Sequence, residues 1–164
     1  MPTGEAIVEW TYTYAYANDS GSIRRSSTIC LCGLSLEKAI MFTHIMIGSN
    51  NLEQARSFYD ATFAALGGQP GEMDARGRLI YSHEGGRLMV TKPIDGKPAT
   101  AANGGTIGIA AASRDHVLAW HEAGLAHGGI AIESPPTERP NGSFVAYLRD
   151  PDGNKLTART HPAK

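Results

Sequence analysis

A strand-like alternation opens at Phe42 and runs to Gly48, with Ile45 and Ile47 on one face and His44 and Met46 on the other. After Ser49-Asn50-Asn51 the apolar spacing becomes helical. Asn50 is placed to cap the helix, and Glu53 stands three residues on, as in a capping box. Leu52, Ala55, Tyr59, Thr62 and Leu66 make the apolar stripe, with Phe58 and Phe63 beside it. Gly67-Gly68 ends the helix. Residues 79–83 and 87–91 read as strands around Glu84-Gly85-Gly86, which predicts a hairpin.

After a linker rich in Gly, Pro and Ala, from Pro93 to Gly105, the pattern returns. Thr106-Ile107-Gly108-Ile109 matches His44-Ile45-Met46-Ile47. Ser113 caps a second helix whose stripe is Val117, Trp120, His121 and Leu125, and Gly128-Gly129 ends it. Residues 144–149 and 155–159 form a second hairpin. Its turn, Asp150-Pro151-Asp152-Gly153-Asn154, has the composition of a type I turn. Two strand–helix–hairpin halves with equivalent signals predict a pseudo-symmetric α+β fold whose two sheets face one cleft.

Residues 1–40 read differently. Trp10, Tyr12, Tyr14 and Tyr16 alternate with Thr11, Thr13 and Ala15, and Asn18-Asp19-Ser20-Gly21-Ser22 is a turn or linker composition. Three readings stand for this extension: disorder, an added edge strand, or upstream sequence brought in by a misplaced start codon. The organised domain is expected at 41–164, with halves at about 41–95 and 105–160.

The length of 164 residues suits one domain with an extension. With 15 basic and 16 acidic residues and no basic stripe, nucleic acid is not an expected partner. No acidic block argues for holding a strongly cationic ligand. The two cysteines, Cys30 and Cys32, are too close for an ordinary disulfide framework, and no second pair completes a zinc site. They read as free thiols in a reducing compartment. No apolar run approaches the ~20 residues that span a bilayer. The short apolar run after Arg24-Arg25 starts too far inside the chain for a secretory signal. A cytoplasmic protein is expected.

Three stretches carry a family resemblance. They are Phe42-Thr43-His44-Ile45-Met46-Ile47-Gly48, Asn51-Leu52-Glu53-Gln54-Ala55-Arg56-Ser57-Phe58-Tyr59-Asp60, and Tyr147-Leu148-Arg149-Asp150-Pro151-Asp152-Gly153-Asn154-Lys155-Leu156. The chain resembles the vicinal oxygen chelate superfamily, which includes glyoxalase I, bleomycin-resistance proteins and extradiol dioxygenases. The resemblance implies paired βαβββ units with two mixed sheets around a cleft, and a homodimer. It does not imply one reaction, because the superfamily hosts lyases, isomerases, dioxygenases and binders.

In metal-using members of that superfamily, ligands come from the first strand of each unit and from the strand after each hairpin turn. By resemblance, those positions are His44, Met89, Thr106 and Thr157. Only His44 is a competent ligand. A catalytic zinc site needs about three protein ligands and an open position. A non-haem iron site needs two His and a carboxylate. The expected protein is therefore a binder of a small organic molecule in a metal-depleted cleft, with no cofactor. One alternative is a lyase, isomerase or dioxygenase that uses His44 as acid–base, or that uses a divalent metal bound through a residue such as His83. Another is an antibiotic-sequestering resistance protein, which the near-neutral charge disfavours for cationic drugs.

The candidate ligand-binding residues are His44, Tyr81, Met89, Thr91, Thr106, Tyr147, Arg149 and Thr157. His44 suits proton transfer, or is a cavity histidine bonded to a neighbour. Tyr81 with His83, and Tyr147 with Arg149, share strand faces that supply aromatic walls and a cation for an anionic group, or form solvated rims. Thr91, Thr106 and Thr157 offer hydroxyls to a polar group, or are ordinary strand residues. His116, His121 and His127 are spaced for solvated or packing roles.

Overall fold

The computed structural model describes residues 42–162. The readings of residues 1–40, including Cys30 and Cys32, lie outside them. The described chain is an α+β fold of two like halves, the first βαβββ and the second with one strand more. In the first, strand β1 (Ile45–Gly48) leads to helix α1 (Leu52–Ala65) and strands β2 (Glu72–Met73), β3 (Leu79–His83) and β4 (Gly86–Thr91). The second comprises β5 (Ile107–Ala110), α2 (Arg114–Ala126), β6 (Ile130–Ala131), β7 (Thr137–Glu138), β8 (Phe144–Arg149) and β9 (Lys155–Arg159). The sheets are mixed, with orders β1-β4-β3-β2 and β5-β9-β8-β6, and β7 also pairs with β8. Only β1–β4 and β5–β9 are parallel.

The hairpins and helices fall where the periodicity places them. The two-residue strands β2, β6 and β7 were not legible, because two residues are too few to show an alternation. The first hairpin closes through Glu84 and Gly85, both at positive φ (47° and 79°), the geometry of a two-residue type I′ turn. Both helices end alike. Gly68 N donates to Phe63 O at 2.8 Å, and Gly129 N donates to Gly124 O at 2.8 Å. Gly67 and Gly128 take the left-handed conformation that this closure requires.

The first helix cap is a correction. Asn51, not Asn50, caps α1, its Oδ1 accepting from Glu53 N and Gln54 N. Asn50 is drawn elsewhere. Its backbone N–H and its Nδ2 donate to Asp152 Oδ1 (2.8 and 3.0 Å), and its amide group exchanges two hydrogen bonds with the backbone of Ala99. The end of β1 is thus tied to the second hairpin turn and to the linker. At the other end, His83 Nε2 hydrogen-bonds Ala110 O at 2.9 Å. Each half therefore clasps the end of the other's first strand with its own hairpin turn.

One hydrophobic core serves both halves. It takes Ala55, Phe58, Tyr59 and Phe63 from α1, Val117 and Trp120 from α2, Leu79, Tyr81, Leu88 and Val90 from the first sheet, and Ala146, Leu148, Leu156 and Ala158 from the second. The second helix differs from its expected stripe. Gly124 is buried while Leu125 is 43% exposed, because α1 presses its Phe58 and Thr62 against the Gly124 position. A larger residue at 124 would hold the helices apart.

That contact has a testable sign. Alanine for glycine in a helix interior ordinarily stabilises by about 1 kcal/mol. At Gly124 a Cβ would overlap Leu148 Cδ1 and stand 3.3 Å from Phe58 Cε2. Gly124→Ala is expected to destabilise the fold by about 1–2 kcal/mol in urea unfolding, the overpacking cost exceeding the helix gain. A stabilised variant would show that the helix contact yields without cost.

Candidate functional site

Because side chains alternate along a strand, the core claims one face of each sheet and leaves the other free. On the first sheet the free face carries Met46, Met89, Gly48 and Thr91, paired as Met46↔Met89 and Gly48↔Thr91, with His44 on the same side by alternation. On the second it carries Gly108 and Thr157, Tyr147, Arg149 and Lys155, paired as Gly108↔Thr157, Tyr147↔Thr157 and Arg149↔Lys155, and Thr106 by alternation. Seven of the eight candidates thus lie on free faces, but in two groups: His44, Met89 and Thr91 on one sheet, Thr106, Tyr147, Arg149 and Thr157 on the other.

Tyr81 is the eighth, and it lies on the other face of its sheet. It pairs with Leu88, not with Met89, so it belongs to the core face and is buried. Its ring stacks on Phe63 at 4.9 Å, and its hydroxyl donates to Asp60 Oδ1 at 2.8 Å. His83 shares that face. The two help line a cavity of about 210 Å³ between the first sheet and β5, together with Ile45, Phe63 and Leu88. Leu88 and Tyr81 alternate inward because the core needs both, and periodicity alone does not say which face is inner.

The free face of the first sheet borders a cavity of about 820 Å³ that includes Met46, Gly48, Thr91, Arg76 and Arg78, with the linker residues from Lys92 to Thr100 as its far wall. Arg78 is held there by Asp74, Nε to Oδ2 at 2.7 Å, and that hydrogen bond keeps the Asp74 carboxyl below its ordinary value. Met89, the register partner of Met46, is itself buried. His44 is exposed, and its Nδ1 is 3.1 Å from Thr43 Oγ1.

On the second sheet, Tyr147 is the centre. Arg139 Nη2 donates to its hydroxyl at 3.2 Å, and the guanidinium carbon is 5.6 Å from the ring centroid. Lys155 Nζ lies 5.2 Å from the same centroid and is ion-paired with Glu133. Arg149 turns back to donate to Gly153 O in its own turn. Sequence reading missed Arg139, Lys155 and Glu133. Lys155 was within reach, since it alternates with Thr157. Arg139 and Glu133 lie in loops and carry no local signal.

The donor set at the four resemblance positions tests poorly for a metal. The two halves pair first and last strands in the same register, Met46↔Met89 and Gly108↔Thr157, so Met89 and Thr157 are true equivalents. A thioether and two neutral hydroxyls beside one imidazole do not make a zinc or non-haem iron site. Among the described residues no group of three or more His, Cys, Asp or Glu side chains is placed to hold a metal ion. His116 and His127 are bonded to Ser113 Oγ and Ser57 Oγ, at 2.8 and 2.9 Å. Burial lowers the His121 imidazole from its ordinary value.

A family model described as the Glyoxalase/Bleomycin resistance protein/Dioxygenase superfamily matches residues 41–157. No curated protein matches the chain significantly. Among solved structures, a glyoxalase/bleomycin resistance protein from Albidiferax ferrireducens is 46% identical, covers 75% of this chain and 100% of its own, and has a TM-score of 0.71. A lactoylglutathione lyase from Agrobacterium tumefaciens is 19% identical, with 75% and 95% coverage and a TM-score of 0.54. A fosfomycin resistance protein from Mesorhizobium loti is 17% identical, with 73% and 91% coverage and a TM-score of 0.54. These last two share the fold alone. No helix among the described residues is long and apolar enough to cross a membrane.

The buried tyrosines set an alkaline limit. Burial, then the Asp150 carboxylate, hold the Tyr59 hydroxyl well above its ordinary 10.0. Burial, then the hydrogen bond to Asp60, push Tyr81 up as well. Above about pH 10 the unfolded chain loses these two protons and the folded chain keeps them. The unfolded state then binds fewer protons, so stability falls as pH rises. The melting temperature is expected to drop beyond pH 10. The Tyr59→Phe/Tyr81→Phe double variant, less stable at pH 7, should show a flatter alkaline limb. An unchanged limb would place the loss on other groups.

Proposed function

This chain belongs to the glyoxalase/bleomycin resistance protein/dioxygenase superfamily, and from that membership we propose that it binds a small organic molecule without a catalytic metal. The observation that carries the proposal is the cavity of about 820 Å³ on the free face of the first sheet. Its size falls in the range of ligand sites, roughly 300–1,000 Å³. Its lining, with the thioether of Met46, prolines, Ile94 and a few polar groups, suits an organic guest. The donor chemistry at His44, Met89, Thr106 and Thr157 supports binding over metal-assisted lyase or dioxygenase chemistry. Among the described residues His44 has a threonine neighbour at hydrogen-bond distance rather than a second titratable group, which favours binding over an acid–base role.

The same reading makes the protein a homodimer. The candidates on the two sheets line no common cavity among those described, and Phe42, Met46 and Ile94 stay exposed. A second copy laying its second-sheet face over the first-sheet cavity joins the two groups and covers that apolar surface. A cytoplasmic setting goes with it, supported by the reading of Cys30 and Cys32 as free thiols.

Light scattering should give twice the 17.4 kDa of one chain. Elemental analysis should find no stoichiometric metal, and Zn²⁺, Ni²⁺, Fe²⁺ or Mn²⁺ should leave the melting temperature unchanged. A small-molecule panel should contain a compound that raises it, a ligand at 100 times its Kd being worth about 2.7 kcal/mol. Stoichiometric metal whose stabilisation is lost in His44→Ala would sink the proposal and return the protein to the lyase or dioxygenase side.

A further inference from the structure

The free face of the second sheet is strongly basic. Lys155 and Arg149 are register partners there, Arg159 follows on the same face of β9, and Arg139 reaches in from the loop after β7. Among the described residues, Lys155 is the one of these four with a carboxylate within 4 Å, and that carboxylate is Glu133. Glu133 sits between β6 and β7 at φ 61°, a left-handed conformation that a residue with a Cβ beyond Asn and Asp rarely adopts. The loop thus holds an unfavourable backbone while its side chain supplies the anion that the basic face lacks.

In Glu133 the chain itself places a carboxylate on this face. A carboxylate meets Lys155 beside the Tyr147 ring. The Arg139 guanidinium, with one donor engaged by the Tyr147 hydroxyl, has four more N–H groups. Thr157 lies directly across from Tyr147, and Gly108, beside Thr157, adds no side chain to the surface. We propose that this face is a carboxylate subsite. A small organic acid places its carboxylate between Lys155 and Arg139, its body lies on Tyr147 and over Gly108, and Glu133 is the internal anion that it displaces. This deepens the small-molecule reading and rests on it.

The test uses the full-length protein and two probes of one shape, benzoate and neutral benzamide, followed by titration calorimetry at low and physiological salt. Benzoate should bind at least about tenfold more tightly than benzamide, and more weakly as salt rises. Lys155→Met should lose about that factor. Glu133→Gln should do the opposite and tighten benzoate severalfold, a gain that damage to the fold does not produce. Equal binding of the two probes, or a Glu133→Gln variant that binds benzoate no better than the parent, overturns the carboxylate subsite and leaves small-molecule binding standing. If neither probe binds and no compound of the wider panel stabilises the protein, the subsite and the binding reading fall together.

Discussion

The buried carboxylate of Asp150 is the constraint on which the arrangement rests. The residue is 3% exposed, and a charge so placed is costly unless its oxygens are saturated. Four donors do this. Asp152 N and Asn154 N reach Oδ1 at 3.0 and 2.7 Å, and Asn154 Nδ2 and the Tyr59 hydroxyl reach Oδ2 at 2.9 and 2.7 Å. Three come from the turn itself and fix its shape. The fourth comes from α1 in the other half, so saturating the carboxylate also ties that helix to the turn. With α1 in place, Phe58 meets Gly124, the helices pack, and the two sheets share one core.

Once the inner faces are committed to the core, the outer faces are where the halves have diverged. Equivalent register positions hold Met46 and Met89 in one half and Gly108 and Thr157 in the other. The first sheet borders a large cavity of mixed lining, and the second presents an aromatic ring among cations. The hairpin turns have diverged too. Tyr81 pairs with Leu88 as Leu148 pairs with Leu156, so two residues on His83 answers to Asp150. One half reaches across with an imidazole to a strand carbonyl. The other reaches across with a carboxylate to a tyrosine and, through Asp152, to Asn50. A symmetric frame is thus kept by unlike interactions.

Much of this was legible in the sequence because it is local. The two helices, the two hairpins, the glycine closures and the duplicated order follow from period-two and period-3.6 spacing and from turn residues, whose energies depend on neighbours a few positions away. The family followed from the same stretches.

What tertiary structure alone decided depends on distant partners. Asn50 and Asn51 are equally good caps, and Asp152, far along the chain, settled which one serves. Leu125 looked like core until α1 claimed the Gly124 side of α2. Tyr81 alternates with its neighbours whichever way the sheet faces, and only packing on Phe63 and Tyr59 turned it inward. The basic face gathers Arg139, Tyr147, Lys155 and Glu133 from a loop, two strands and another loop, and no periodicity links them. Local spacing determines elements because neighbouring residues share one helix or strand geometry. Assembly of a site depends on which faces meet, and that is set by burial and by saturating one buried charge.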